Sequence, residues 1–296
     1  MNELAYIDGR FVPLNEAKVS ITDRGFVFGD GVYEVIAAYN GEAFRLEEHL
    51  ARLGASANAI SLVLPLNNNK LKKIIGMGLA QSNSQATQIY VQVTRGSAPR
   101  SHAFPSGTTS NLVVTFRPLV QIPENISAQG VSIITTEEIR WDRCNIKSIS
   151  LLPNVLAKQK ATEQGVFEAI WVTKDGVVNE GAASNIFVIR EGEMHTPPKN
   201  EKILGGITRD VVLQCAQGEG MLVHEIPLQI ETMLQANEIF LTSTTIEVLG
   251  VVDVDGQTIG EGTVGPITKQ LSNALRQEID RATSQSKKEN DRGFLS

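Results

Sequence analysis

The sequence predicts a mixed α and β protein in two halves, a smaller N-terminal domain and a larger C-terminal domain rich in β. Three observations predict it. Short runs of strand-forming residues are closed by tight-turn dipeptides, in AYI-DG-RFV at Asp8-Gly9 and in VIAAY-NG-EAFRL at Asn40-Gly41. Such pairs supply the positive φ angles that two-residue hairpin turns require. Amphipathic runs of helical period alternate with these strands. Proline and polar residues then break both patterns at Gln121-Ile122-Pro123-Glu124-Asn125, after which a strand pattern restarts. The expected division is a domain over 1–120, a linker over 121–125, a larger domain over 126–285 and a polar tail over 286–296.

Each element has a local reason. Leu46, Leu50, Leu53 and Ala57 share one stripe of a helix over roughly 46–62, and a second helix follows over about 70–81. TQIYVQVTRG and NLVVTFRPL read as strands. In the second half GVSIITTEEIRW is a strand, followed by a helix over about 151–165. Pro153 falls in that helix's first turn, where its missing N–H costs nothing. FEAIWVTKDGVVNEGAASNIFVI reads as strands turned at Asp175-Gly176, and a short helix begins near Gly206. EIFLTSTTIEVLGVVDV is strand-rich, GPITKQLSNALRQEIDRA is a last helix, and SQSKKENDRGFLS is expected to fray.

Composition removes several function classes. The net charge is -6 over 296 residues, with no basic block before the tail, which argues against nucleic-acid binding. No apolar run is long enough to span a bilayer. The opening MNELAYIDGR lacks the basic-then-apolar order of a signal peptide. Cys144 and Cys215 are far apart and have no metal-ligand spacing, so no metal and a reducing, cytoplasmic setting are expected.

Five places carry chemistry, each with a plain alternative. Lys147 precedes an apolar run: its stem packs on Ile146 with the amine in water, or burial lowers its pKa and makes it a Schiff-base nucleophile. Glu180, in VVNEGAASNIFVI, is a solvated carboxylate at a strand end or the partner of a pyridine nitrogen. Gly205-Gly206-Ile207-Thr208 is an ordinary loop or a helix start whose free N–H groups attract phosphate, and Thr242-Ser243-Thr244-Thr245 is a solvated turn or a second hydroxyl cluster. Arg52 pairs with Glu48 on the surface or clamps phosphate. Arg100 and His102 alternate, so in an extended segment both point one way and grip a carboxylate; Tyr33 offers a phenol or is only a strand aromatic. A lysine for an aldehyde, a glutamate for a ring nitrogen and an anion cradle with an arginine together describe a site for pyridoxal 5'-phosphate.

The segments DRGFVFGDGVYEV, HLARLGAS, IKSISLLPNVLAKQKA, NEGAASNIF, GITRDVV and FLTSTTIE resemble, in that order, the fold-type-IV pyridoxal-phosphate enzymes, over a length reaching to about Ala282. That family includes branched-chain aminotransferases, D-amino-acid aminotransferases and aminodeoxychorismate lyases. VTRGSAPRSHAFP is most similar to the D-amino-acid branch. The resemblance implies ping-pong transamination between a D-amino acid, of the D-alanine or D-glutamate type, and a 2-oxo acid. It implies Lys147 as the Schiff-base lysine, Glu180 on the pyridine nitrogen, and Arg52, Thr244 and the backbone of Ile207 and Thr208 on the phosphate. Leu204 would lie near the ring, and Tyr33, Arg100 and His102 would trap the substrate carboxylate. In this family the trap arginine and histidine come from the second subunit, so a homodimer with shared active sites is implied. A branched-chain L-aminotransferase, a lyase and a non-catalytic cofactor carrier remain as alternatives. Ala182-Ala183 and Ala37 depart from the family pattern, where a serine pair and a lysine can stand.

Overall fold

The computed structural model describes residues 3–293, with side chains through residue 284. The chain divides into two compact units. The first comprises residues through Val120, Ile146–Ser150 and the chain from Ile279 on; the second comprises Gln121–Asn145 and Leu151–Glu278.

The first unit is built on an antiparallel six-stranded sheet. Its strands are β1 (Leu4–Ile7), β2 (Arg10–Pro13), β3 (Gly31–Tyr39), β4 (Glu42–Ala43), β5 (Ala86–Thr94) and β6 (Asn111–Pro118), in the order β2-β1-β6-β5-β3-β4. The hairpins form where the dipeptides place them: Asp8 and Gly9 have φ of 52° and 80°, Asn40 and Gly41 of 54° and 85°. Three helices accompany the sheet, α1 (Arg24–Phe28), α2 (Leu46–Ala59) and α3 (Asn68–Ser82). The α2 stripe Leu50, Leu53 and Ala57 and the α3 residues Leu71, Ile75 and Leu79 are buried against Ile36, Ile89, Val91 and Phe116 of the sheet. The sequence did not predict α1. Asp23 caps it by accepting from the Gly25 N–H (2.8 Å), and Gly29 ends it at φ 68°.

The stretch Ile146–Ser150 joins this unit through main-chain pairing. Val32 bridges Ser148, the Tyr33 N–H donates to the Lys147 carbonyl (3.0 Å), and the Ile149 N–H donates to the Gly31 carbonyl (3.1 Å). A division of the chain at one point near residue 121 therefore leaves this short segment on the wrong side.

The second unit holds a ten-stranded sheet. Its strands are β7 (Val131–Glu137), β8 (Glu168–Val172), β9 (Val177–Gly181), β10 (Asn185–Arg190), β11 (Glu193–Thr196), β12 (Val223–Glu225), β13 (Leu228–Gln229), β14 (Glu238–Ser243), β15 (Glu247–Val254) and β16 (Gln257–Thr258). The order is β12-β11-β10-β14-β15-β7-β8-β9-β13, with β16 on β15. Parallel pairs β7–β8, β7–β15 and β11–β12 mix with antiparallel ones. The helices are α4 (Glu124–Gln129), α5 (Leu152–Glu163), α6 (Ile207–Gly218), α7 (Ile230–Leu234) and α8 (Pro266–Gly293), the last continuing past Ile279. Ile133, Ile170, Val178, Ile186, Val188 and Leu241 form its core. These runs read as continuous apolar segments rather than alternating ones because several strands are buried on both faces.

The mixed α and β class expected from the sequence is thus the observed one, and most elements lie within a few residues of their expected bounds. Two differences have local causes. α4 starts inside the expected linker, because Pro123 takes a helix-entry φ of -56°. The β10–β11 hairpin turns on Glu191-Gly192, with φ of 53° and 82°, a pair lacking the Asn or Asp signal. The expected polar tail falls partly within α8 and partly outside the described residues.

Helix α3 offers a paired test of packing. A Cβ on Gly78 would sit 2.0 Å from the Phe116 ring, whereas one on Gly76 would meet nothing within 4 Å. Gly78→Ala is expected to cost about 1–3 kcal/mol in urea unfolding by overpacking. Gly76→Ala should instead stabilise by about 0.5–1 kcal/mol through helix propensity.

Candidate active site

In the first unit Lys147 is anchored before its side chain is considered. Its N–H donates to Ser56 Oγ on α2 (3.1 Å) and its carbonyl accepts from Tyr33 on β3. The side chain is half-buried, and Nζ lies 4.4 Å from the centroid of the Tyr33 ring. An amine over an aromatic face is partly drawn from water yet still favourably placed. Tyr33 is itself tilted against Tyr90, centroids 5.6 Å apart.

Strand alternation sends Glu34 to the face opposite Tyr33. There it is fully buried and meets α2: Arg52 Nε donates to Oε1 (2.7 Å), Arg52 Nη2 to Oε2 (2.8 Å), and His49 Nδ1 lies 2.8 Å from Oε2. Burial alone pushes the Glu34 pKa up, but the hydrogen bonds and charges of Arg52 and His49 reverse this and hold it down at about 2. Burial also lowers the His49 pKa, against the pull of Glu34. Glu48 pairs with Arg45 (3.1 Å), and the Arg52 fork is fixed by Glu34.

Arg100 and His102 are exposed on an irregular loop, not on an extended strand. They are brought together by a ring instead: the Arg100 guanidinium lies 5.1 Å from the Phe28 centroid and the His102 ring 5.4 Å from it. Buried Arg24 holds the loop by its main chain, donating from Nη1 to the Ser101 carbonyl (2.6 Å) and from Nη2 to the His102 carbonyl (3.3 Å). Arg95 lies 3.7 Å from the Phe104 centroid and donates to the Ile60 and Ser61 carbonyls. Asp30 bridges Arg24 (2.8 Å) and Arg95 (2.9 Å); burial raises its pKa, and the bonds from Arg95 and Arg24 outweigh it and lower it.

In the second unit Glu180 lies near the end of β9 and is 5% exposed. Oε1 accepts from Arg140 Nη1 (2.6 Å), and Oε2 accepts from Asn185 Nδ2 (3.1 Å) and the Leu204 N–H (3.0 Å). The Asn185 amide also donates to the Leu204 carbonyl (2.9 Å), tying β10 to that loop. Arg140 serves two acids, since Nη2 also bonds Glu138 Oε2 (2.7 Å). Burial opposes its charge, but Glu138 and Glu180 more than offset this and raise its pKa. The alanine pair beside Glu180 acts through its backbone: the Ala183 N–H donates to Glu168 Oε2 (3.2 Å). Ser184 Oγ donates to the same oxygen (3.2 Å). Ala37 is buried in β3 opposite Gln88.

Ile207 and Thr208 open α6, whose N-cap is Gly206 with no capping side chain. Thr244 sits in the turn between β14 and β15. These groups fit a phosphorylated pyridine aldehyde by their donor chemistry. The uncapped helix start and the hydroxyls of Thr208 and Thr244 suit a phosphate, and the fixed Glu180 carboxylate suits a ring N–H.

Sequence reading missed Glu34, His49, Arg140 and Asn185. The available signals were a lone carboxylate in the apolar run VYEVIAAY and the Glu138-x-Arg140 spacing at a strand end, because a buried carboxylate needs a cation.

A family model described as Amino-transferase class IV matches residues 31–254. A D-alanine aminotransferase of Bacillus licheniformis is 44% identical over 272 residues, covering 92% of this chain and 95% of that protein. One from Staphylococcus haemolyticus is 40% identical over 279 residues, covering 94% and 99%. Among solved structures, the branched-chain amino acid aminotransferase of Escherichia coli is similar with a TM-score of 0.88 at 25% identity, covering 94% of each chain. A branched-chain amino acid aminotransferase of T.th., solved with pyridoxamine 5'-phosphate, has a TM-score of 0.87 at 26% identity, covering 96% of this chain and 95% of that one.

The Glu34 network has a pH signature. A carboxylate depressed from 4.5 to about 2 stabilises the fold above its unfolded pKa and loses that contribution as pH falls between those values. The stabilisation is on the order of 3 kcal/mol. Glu34→Gln should lower the melting temperature at pH 7 and flatten its fall between pH 4.5 and about pH 2, as read by circular dichroism.

Proposed function

Because the chain belongs to the class IV aminotransferases, a family of pyridoxal-phosphate enzymes, we propose that it exchanges an amino group between a D-amino acid, of the D-alanine or D-glutamate type, and a 2-oxo acid, with pyridoxal 5'-phosphate as its resident cofactor. The observation that carries the D-specific reading is the near-full-length match to D-alanine aminotransferases, at higher identity than to the branched-chain enzymes that share the fold.

Each residue has one task. Pyridoxal phosphate supplies an aldehyde for amines and a protonated ring that withdraws electrons. Lys147 would hold it through Nζ and, with that amine free, would serve as the base that takes the α-proton and the acid that returns it. The anchoring of its main chain to Ser56 and Tyr33 supports this role, because it leaves only side-chain rotation to place Nζ. Glu180, oriented by Arg140, Asn185 and the Leu204 N–H, would keep a proton on the ring nitrogen. Arg52, steered by Glu34, would serve the phosphate, as would Thr244 and the N–H groups of Ile207 and Thr208, and Leu204 would serve the ring. Tyr33, Arg100 and His102 grip the substrate carboxylate and choose which enantiomer turns its α-proton toward Lys147. Arg100 and His102 serve the active site of a second copy, so the enzyme works as a homodimer, in the cytoplasm, where Cys144 and Cys215 stay as thiols. The amino group rests on the enzyme between two half-reactions, which makes the kinetics ping-pong.

A donor panel of D-alanine, D-glutamate and L-leucine with 2-oxo acid acceptors tests the reading. D-alanine should turn over and L-leucine should not; the reverse result would establish the branched-chain activity instead. Lys147→Ala should reduce transamination at least about 10³-fold. Arg100→Ala should raise KM for D-alanine about 10–100-fold, the loss of one charged hydrogen-bonding partner, while cofactor absorbance is retained. An unchanged KM removes Arg100 from the trap.

A further inference from the structure

The edge of the ten-stranded sheet carries a second cluster of chemistry-bearing side chains. β12 is the edge strand and lies parallel to β11, with His224 directly opposite His195. Met194 and Thr196 are buried, so the period-two alternation of β11 puts Glu193 and His195 together on its other, half-buried side. His224 shares that side, because residues opposite each other on paired strands face the same way. The two imidazoles stack with centroids 4.8 Å apart, and His224 Nε2 lies 2.8 Å from Glu193 Oε2. One ligand atom from each of the three residues falls within 4.8 Å of the others.

We propose that Glu193, His195 and His224 bind one divalent transition-metal ion of the zinc class, which clamps β12 to β11. Two imidazoles and a carboxylate suit Zn²⁺, Co²⁺, Ni²⁺ or Cu²⁺, whereas Mg²⁺ and Ca²⁺ favour oxygen ligands alone. Metal–ligand bonds near ~2 Å set tetrahedral ligand atoms about 3.3 Å apart. Side-chain rotation of half-exposed residues supplies that contraction without moving the strands, and the fourth position faces solvent for water. Arg190, in register with Glu193 on β10, is the opposing charge, and its Nε lies 3.9 Å from Glu191 Oε1. β12 has three residues and pairs with no strand but β11 among the described residues, so a cross-strand ion stabilises a short edge segment. The site is independent of transamination.

The test uses the full-length, cofactor-loaded chain without an affinity tag, titrated with zinc chloride by calorimetry. One equivalent should bind with Kd on the order of 10 µM or tighter. His195→Ala and His224→Ala should each weaken it at least about tenfold. The Cys144→Ser, Cys215→Ser double variant should bind as the parent does. Zinc should raise the melting temperature of the parent and not of the histidine variants, and magnesium should do neither. Should a histidine variant misfold, Cu²⁺ bound to the parent gives an independent readout by electron paramagnetic resonance. Hyperfine coupling to two imidazole nitrogens is expected, and of the four histidines only this pair stacks ring on ring among the described residues. No binding by the parent, binding lost with the cysteines, or copper coupled to fewer than two nitrogens overturns the proposal.

Discussion

The structure around Lys147 depends on a short piece of main-chain pairing. Residues 146–150 lie against β3, with the Tyr33 N–H on the Lys147 carbonyl and the Ile149 N–H on that of Gly31. Backbone bonds position a residue with no rotamer freedom of their own, so the only soft degrees of freedom left to Lys147 are those of its side chain. Those end over the Tyr33 ring. The strand that fixes the lysine backbone also presents the aromatic surface beneath its amine, and on its other face the carboxylate that orients Arg52.

Arginine orientation recurs as a second constraint. Arg52 is set by Glu34, Arg140 by Glu138 and Glu180, and Arg24 and Arg95 by Asp30. Each guanidinium is largely buried. Such a pair is a weak source of net stability, because desolvation consumes most of the attraction, but loss of one partner strands a buried charge. The gain is geometric. A bidentate fork permits few orientations, so a buried acid fixes which way the guanidinium's remaining N–H groups point.

The Arg100–Phe104 loop shows how an irregular segment acquires a defined shape. Arg24 reaches its main-chain carbonyls rather than its side chains, and Phe28 and Arg95 supply ring and cation contacts from below. The side chains of Arg100 and His102 are left exposed. The sheet edge at β11 and β12 obeys the opposite logic: there the regular pairing of strands aligns the three side chains.

Local backbone chemistry was legible in the residues. The turns at Asp8-Gly9 and Asn40-Gly41, the α2 stripe, Pro153 at the start of α5 and the uncapped glycine entry to α6 all follow from interactions spanning a few positions. Lys147, Glu180 and Arg52 stand out in the same way, as charged groups in or beside apolar runs. Partners were not legible. Glu34 meets Arg52 across 18 positions and Arg140 meets Glu180 across 40. Which charges meet at such separations depends on strand register and helix placement, where a slip of one residue sends a side chain to the opposite face. The sequence by itself therefore determined the local elements and the chemistry available; only the tertiary structure decided which acid orients which arginine, that Ile146–Ser150 packs with β3, and that two histidines 29 positions apart stack at a sheet edge.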